Sequence, residues 1–277
     1  MLIKVNVIPL VNIVMVTYNQ EKYVAQAIES VLSQKTTFPF VLIIGDDCSS
    51  DETYNICRLY ADKHSDKVLL LKNETNVGLV KNYQRVFNAC TAKYIAILEG
   101  DDYWIVDDKL QKQTEILEAD FEAGLVHASK YTLFEDYNKI IPPSKKIINE
   151  NLSSQGYVYK KLIKANFICP LTVLFRRSLL IEFIDYQFFI HNDIQTIDYA
   201  LWLGFSLHSK IVFMNCVVGT YRVRATSISN NPSIKSKEKF LQTARLVVDY
   251  YIKKQPVDFV PNQNNENWIN KSLPKLV

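Results

Sequence analysis

Carboxylates are concentrated in Glu99-Gly100-Asp101-Asp102-Tyr103-Trp104, directly after the apolar run Tyr94-Ile95-Ala96-Ile97-Leu98. The run reads as a buried strand, so a segment that belongs inside ends in negative charge. Two like charges about 4 Å apart repel by roughly 4 kcal/mol at an effective dielectric near 20, and such a cluster persists where something positive binds. Magnesium and manganese take oxygen ligands and are commonly held by one or two carboxylates together with substrate phosphates. Asp101 and Asp102 suit a cation of that kind carrying a phosphorylated ligand. A solvated turn or a helix cap is the competing reading of an isolated Asp-Asp pair, but in open α/β sheets ligands bind outside the carboxyl ends of the strands, where this pair falls.

The elements that must position this pair alternate along the chain. Ile13 to Val16 reads as a first buried strand, and Asn19 as a cap for a helix whose apolar face is Val24, Ala27, Ile28, Val31 and Leu32. Val41 to Ile44 gives a second strand, and Ser49 with Glu52 has the capping-box pattern ahead of Tyr54, Cys57, Tyr60 and Ala61. Val68 to Leu71 is a third strand, and Leu79, Tyr83, Val86, Phe87 and Cys90 mark the helix before the acidic turn. Four strand-to-helix units imply an α/β fold with a mostly parallel central sheet flanked by helices and right-handed crossovers. Beyond the turn, Leu110 to Leu117 is helical and Gly124 to Ala128 a strand. Asn138 to Gly156, with Pro142-Pro143 and several lysines, reads as a mobile loop or a short two-stranded excursion. Leu171 to Phe175 is expected as a strand, Ser178 to Ile184 and Ile194 to Phe205 as helices, and Ile211 to Phe213 and Val217 to Tyr221 as two closing strands. Phe240, Leu241, Ala244, Val247, Val248 and Tyr251 define an amphipathic helix, followed by a frayed tail from Pro256.

Composition narrows the classes. The chain has 277 residues, 48% of them hydrophobic, which supports a sizeable core, and its formal net charge of +3 gives little electrostatic ground for nucleic-acid binding. Cys48, Cys57, Cys90, Cys169 and Cys216 are odd in number and lack a CxxC pair, arguing against a disulfide framework or structural zinc and for a reducing cytoplasm. The start from Lys4 to Val16 imitates a secretory signal, but Asn6 and Asn12 interrupt it and no small-residue cleavage site follows. No apolar run reaches the length of a membrane span. His64, His127, His191 and His208 show no zinc spacing.

Five segments in order resemble the family-2 glycosyltransferases of the GT-A fold. They are Val11 to Asn19 with Ser30 to Gln34; Ile43-Ile44-Gly45-Asp46-Asp47-Cys48-Ser49-Ser50-Asp51-Glu52-Thr53; Asn76 to Asn82; Glu99 to Trp104 with Lys109 to Gln113; and Asp198 to Leu203 with Tyr221-Arg222. The resemblance spans Asn12 to Ser229, and it implies a catalytic domain over residues 1–230 with a helical extension and tail over 231–277. It further implies a nucleoside-diphosphate sugar donor, a UDP-sugar first among these, with Mn2+ or Mg2+. The acceptor would be a saccharide or lipid-linked saccharide, in bacterial surface polysaccharide or lipopolysaccharide synthesis at the inner face of the cell membrane. Peripheral membrane association stays open.

By this resemblance Thr17, Tyr18 and Asn19 surround the base, Tyr18 by stacking. Asp47 looks like the base- or ribose-binding aspartate, its alternative being a cap within its own turn. Lys81 takes the basic position that neutralises the donor diphosphate, with an ordinary exposed lysine as the alternative, and Gly78 is needed for its backbone or for close ligand approach. Asp102 would coordinate the metal directly and Asp101 share the metal and sugar-phosphate contacts. Asp198 would be the general base of a single inverting displacement, Asp193 its rival. Arg222 is the phosphate candidate ahead of Arg224, which stands where many relatives have histidine. The chain departs from the family at Val16, Cys48 and Ile197, where proline, glycine and glutamate are frequent. A nucleotidylyltransferase is disfavoured because Val16-Thr17-Tyr18-Asn19-Gln20-Glu21 contains no glycine. A binding protein that keeps the fold without turnover is the non-enzymatic alternative.

Overall fold

The computed structural model describes residues 8–224 and 233–257. Four strands, β1 (Val11–Thr17), β2 (Phe40–Asp46), β3 (Val68–Lys72) and β4 (Tyr94–Ile97), lie parallel in the order β3-β2-β1-β4. Helices α1 (Val24–Leu32), α2 (Thr53–Lys63) and α3 (Leu79–Ala89) make the crossovers between them. β1 is buried from end to end, as befits an apolar run covered on both faces. Its side chains alternate: Ile13 and Met15 pack with α1 and α4 (Lys109–Ala119), whereas Val14 and Val16 pack with α3 and the later helices.

The second half of the sheet is mixed. β8 (Leu174–Arg176) runs antiparallel between β4 and β6 (Ala123–Phe134), and β9 (Lys210–Val223) lies parallel to β6 with β5 (Tyr103–Trp104) antiparallel at its far side. β1, β2, β3, β4, β6 and β9 therefore point one way, and the carboxyl ends of β1, β2, β4, β6 and β9 open on one edge. The long α9 (Ile197–His208) is buried along nearly its whole length beneath this sheet. α10 (Ile234–Lys254) lays Val247, Val248 and Tyr251 into the same core as Trp202 and Phe205.

Several local expectations change. β9 is one strand, not two, because Asn215 and Cys216 form a bulge: Ala128 pairs with Met214 and the next residue, Ser129, with Val217. Residues 138–156 contain β7 (Lys139–Ile141), paired to β6, and α5 (Lys145–Leu152) capped by Ser144. Short helices α6 (Tyr159–Leu162), α7 (Ser178–Phe183) and α8 (Tyr186–His191) complete the chain, and a 3₁₀ turn at Pro170–Thr172 replaces the start of the expected strand at Leu171. Asn19 caps no helix. It adopts φ +51° and its amide oxygen accepts from the Ser50 N–H at 2.9 Å, tying the β1 tip to the β2–α2 loop. The Ser49 hydroxyl joins the same tie by accepting from the Asn19 N–H at 3.0 Å while it donates to Asp46 Oδ1 at 2.5 Å, and Asp51 Oδ1 accepts from the Thr53 N–H at 3.0 Å. The expected frayed tail lies, beyond Val257, outside the described residues.

Because α10 shares its core with α9, Tyr251→Ala should cost about 3–5 kcal/mol and lower one cooperative thermal transition of the whole chain. Calorimetry that resolves an early, separate transition, with the main one unmoved, would show that residues 233–257 fold apart.

Candidate active site

Three adjacent strand tips build the floor. The Asp47 N–H donates to the Thr17 carbonyl at 3.0 Å, and the Gly100 N–H to the Val16 carbonyl at 3.2 Å, so β1 ends between the acidic turns that follow β2 and β4. The fit beside Gly100 is close: a Cβ there would fall 2.5 Å from Gln20 Oε1 and 2.8 Å from Thr17 Oγ1. Thr17 is buried and its hydroxyl donates to Gln20 at 2.7 Å, while the Tyr18 ring stands 48% exposed above it.

Asp47 is buried, and its carboxylate accepts from Asn73 Nδ2 at 2.8 Å and from the N–H groups of Val77 and Gly78 at 2.9 Å each. It therefore fixes the turn that launches α3. Gly78 holds φ +86°, with open space where a side chain would point, so it is the backbone conformation that calls for glycine. Lys81 is exposed in the first turn of α3. The cation directed toward the Asp47 turn is Arg85, which donates to Asn73 Oδ1 at 2.5 Å.

On the other side of β1 the charges crowd together. Asp102 is 3% exposed and accepts from the Arg222 main-chain N–H at 2.8 Å. Burial, then the Asp101 and Glu99 carboxylates, push its proton affinity well above the usual carboxylate range, and Lys130 opposes this. Asp101 pairs with Arg224, whose Nε donates at 2.9 Å and whose Nη2 also contacts it. The Arg222 guanidinium is turned away from that pair. It donates to Glu135 at 2.9 Å and contacts Gln26, between the rings of Tyr23 and Tyr103 at 4.9 and 5.1 Å, with Nε buried and unpartnered. Glu99 accepts from the Tyr83 hydroxyl at 2.8 Å, and burial and Asp101 raise it to about 7.

Asp198 lies in the first turn of α9, half-buried, and accepts from Asn166 Nδ2 at 3.2 Å. Burial raises it to about 6 against the hydrogen bonds from the Tyr199 N–H and Asn166. Its field is felt at Glu99 and Tyr83, and together with that of Asp102 at the Cys169 thiol, so the α9 carboxylate faces the same space as the strand tips. The wall carrying Cys169 is held from behind. Trp104 Nε1, Gln113 Nε2 and Lys109 Nζ donate to the consecutive carbonyls of Leu171, Thr172 and Val173 at 2.8, 2.7 and 3.0 Å. Lys109 is wholly buried, 4.4 Å above the Trp104 ring, and burial holds its amine well below the ordinary lysine range.

Among the described residues no group of three or more His, Cys, Asp and Glu side chains is disposed to hold a metal. Asp101 and Asp102 nevertheless offer hard oxygen donors only, and the charge surplus around Asp102 is what a cation completed by phosphate oxygens would relieve.

The family model for glycosyl transferase family 2 matches residues 12–184. The chain belongs to this family. Among its relatives are two Escherichia coli proteins named UDP-Glc:alpha-D-GlcNAc-diphosphoundecaprenol beta-1,3-glucosyltransferase. WfgD is 31% identical over 225 residues, 80% of either chain, and WfaP is 29% identical over 240 residues, 84% of either chain. An uncharacterised Mycobacterium bovis protein is 29% identical over 234 residues, and the match spans 84% of this chain but 64% of that relative's length. In three dimensions the chain resembles Staphylococcus aureus TarS, crystallised with UDP-GlcNAc, at TM-score 0.65 and 19% identity over 90% of this chain and 68% of that one. It also resembles the mannosyltransferase PcManGT of Pyrobaculum calidifontis, in complex with GDP-Man and Mn2+, at TM-score 0.61 and 14% identity over 91% and 74%. These two likenesses show the fold, which is the GT-A type.

Within this family-2 domain the structure brings together Thr17, Tyr18, Asn19, Asp47, Gly78, Asp101, Asp102, Arg222 and Asp198 around one edge, and leaves Lys81 on the exposed side of α3. Sequence reasoning passed over Glu99's partner Tyr83, Asn166, Lys130, Glu135, Arg85 and the pairing of Arg224 with Asp101. Arg224 carried one signal: it follows the end of β9 at Val223, two residues beyond Arg222. Lys130 and Asn166 sit in no motif and come close only through the β6–β9 pairing and the segment before the 3₁₀ turn.

A carboxylate whose folded pKa is raised costs stability above that pKa, and the cost disappears as pH falls toward the unfolded value near 4. Asp198 contributes such a cost above about 6. Asp198→Asn should therefore stabilise the free protein at pH 8 by about 1 kcal/mol, after allowance for its part exposure, or about 2–4 °C, with the difference closing near pH 4. Melting curves across this range check it, and an Asn variant less stable at pH 8 would refute it.

Proposed function

We propose that this chain transfers a sugar from a nucleoside-diphosphate sugar, a UDP-sugar first, to an acceptor hydroxyl with inversion at the anomeric carbon. The observation that carries the reading is Asp198: a carboxylate of raised proton affinity on α9 that faces the acidic strand tips across a shared space. The donor would lie along the tips of β1, β2 and β4, its base against the exposed Tyr18 ring and the Asn19–Ser50 turn. Asp102, with Asp101, would hold Mn2+ or Mg2+, which supplies positive charge for the departing diphosphate.

The chain's own residues do the rest. An acceptor hydroxyl placed between Asp198 and the donor loses its proton to Asp198 Oδ as its oxygen bonds to the anomeric carbon. The bond from that carbon to the phosphate oxygen breaks, and the nucleoside diphosphate leaves with the electron pair. A base with a pKa near 6 is mostly ionised at neutral pH yet basic enough to accept a proton in the transition state. Asn166 orients the carboxylate, and the segment of residues 169–173 is fixed by Trp104, Lys109 and Gln113. Arg222 at the end of β9 and Arg224 just beyond it anchor the turn of Asp101 and Asp102, through the Arg222 N–H and the Arg224 guanidinium.

The UDP choice is supported by relatives whose names specify UDP-Glc, and a lipid-linked saccharide acceptor by the diphosphoundecaprenol in the same names. Those names, with a relative named for teichuronic acid biosynthesis, also support surface-polysaccharide assembly, which we place at the inner face of the cell membrane. Among the described residues no helix is long and apolar enough to cross a membrane.

Asp198→Asn should lower kcat by about 10²- to 10⁴-fold while UDP binding measured with Mn2+ changes little, and the wild-type kcat should fall below a pH of about 6. Sugar transfer that survives the substitution within threefold of wild type, as an estimate well below any general-base contribution, would remove Asp198 from the role. Donor binding with no transfer by the wild-type protein to any acceptor tried would favour a binding protein.

A further inference from the structure

The excursion after β6 is dressed for a surface other than water. From Asp136 to Ile147 every residue except Pro143 is exposed. Tyr137, Ile140, Ile141 and Ile147 are 71%, 54%, 39% and 50% exposed, interleaved with Lys139, Lys145 and Lys146. β7 is an edge strand paired only with β6, and all three of its residues are exposed, so neither of its faces meets the core. α5 is inverted: it buries Asn151 and leaves Ile147 and Leu152 outside. Exposed large apolar side chains in one basic segment mark an interaction surface, and protein stability gives no reason for them.

Its place in the fold selects the partner. Leu133 of β6 lies beside Arg222 of β9, and Glu135, at the root of the excursion, accepts from the Arg222 guanidinium at 2.9 Å. The Arg222 N–H in turn donates to Asp102. The segment therefore springs from the rim of the active-site edge. Tyr137 to Ile147 carries three lysines and no carboxylate, so a second copy of the segment offers it no opposite charge, whereas an anionic bilayer complements the lysines and accepts isoleucine and tyrosine at its interface.

We propose that Tyr137 to Ile147 is a finger that inserts its apolar residues into an anionic lipid surface and seats the mouth of the site against it. This rests on the reading above only in its lipid-linked acceptor; the vesicle contact itself is independent of turnover. Co-sedimentation of the full chain with vesicles of phosphatidylcholine and phosphatidylglycerol, roughly 3:1, should show binding that pure phosphatidylcholine does not, and about 0.5 M salt should weaken it. The double variants Ile140→Glu with Ile141→Glu, and Lys139→Glu with Lys145→Glu, should each lower the vesicle-bound fraction about tenfold. Both should keep wild-type UDP binding with Mn2+ and wild-type transfer to a short water-soluble acceptor glycoside. Absence of vesicle binding by the wild type, equal binding to neutral vesicles, or unchanged binding by both double variants would overturn the finger. So would a dimer in sedimentation velocity that the isoleucine pair abolishes, since the second copy would then be the occupant. Vesicle binding that persists in a protein unable to bind UDP or transfer sugar would instead sink the transfer reading and leave the finger standing.

Discussion

Glu99, Asp101, Asp102 and Asp198 share one partly dry space, and the rest of the site is arranged around the cost of keeping them there. Burial drives Asp102, Glu99 and Asp198 toward their neutral forms, and the neighbouring carboxylates add to it at Asp102 and Glu99. A core optimised only for stability would replace them with apolar side chains. Their juxtaposition at the carboxyl ends of parallel strands is what the proposed uptake of a compensating cation rests on.

The counter-charges within the chain are placed with economy. Arg224 neutralises Asp101, Lys130 acts on Asp102 from β6, and the Arg222 main chain, not its guanidinium, contacts Asp102. The guanidinium of Arg222 is committed to Glu135 and Gln26 between two aromatic rings, so it braces the rim where β6 leaves the sheet. β9 therefore links the acidic turn to the excursion that follows β6, and the chemistry and the surface through which an acceptor would arrive share one support.

A second brace works from inside the core. In the sequence Gln113 shares a helix face with Leu110, Thr114 and Leu117, whereas nothing in the pattern marks Lys109 for burial. In the fold both are fully buried and, with Trp104, hold three consecutive carbonyls of the Cys169–Val173 wall. Burying an amine without an acidic partner is costly, and here two oxygen acceptors and the face of an indole offset that cost.

By itself the sequence determined the alternating strands and helices of the first hundred residues, because a strand buried on both faces must be continuously apolar and a crossover helix must show one apolar stripe. It also determined which residues end those strands, and so placed Thr17, Asp47, Asp101 and Asp102 on one edge before any coordinates. The second half was less legible: β9 carries a bulge at Asn215 and Cys216 that reads as a break, and β6 extends through the polar residues Ser129 to Thr132, which only their pairing with β9 explains. Only the tertiary structure decided that Asn19 and Ser49 tie loops together, where local pattern suggests helix caps, and that Arg224 meets Asp101. It alone decided that Asp47 spends its carboxylate on the Gly78 turn and that Lys81 stays outside while Lys109 goes in. Those outcomes depend on contacts between residues far apart in the chain, and a local pattern of apolar and polar positions carries no record of which distant donor will find which acceptor.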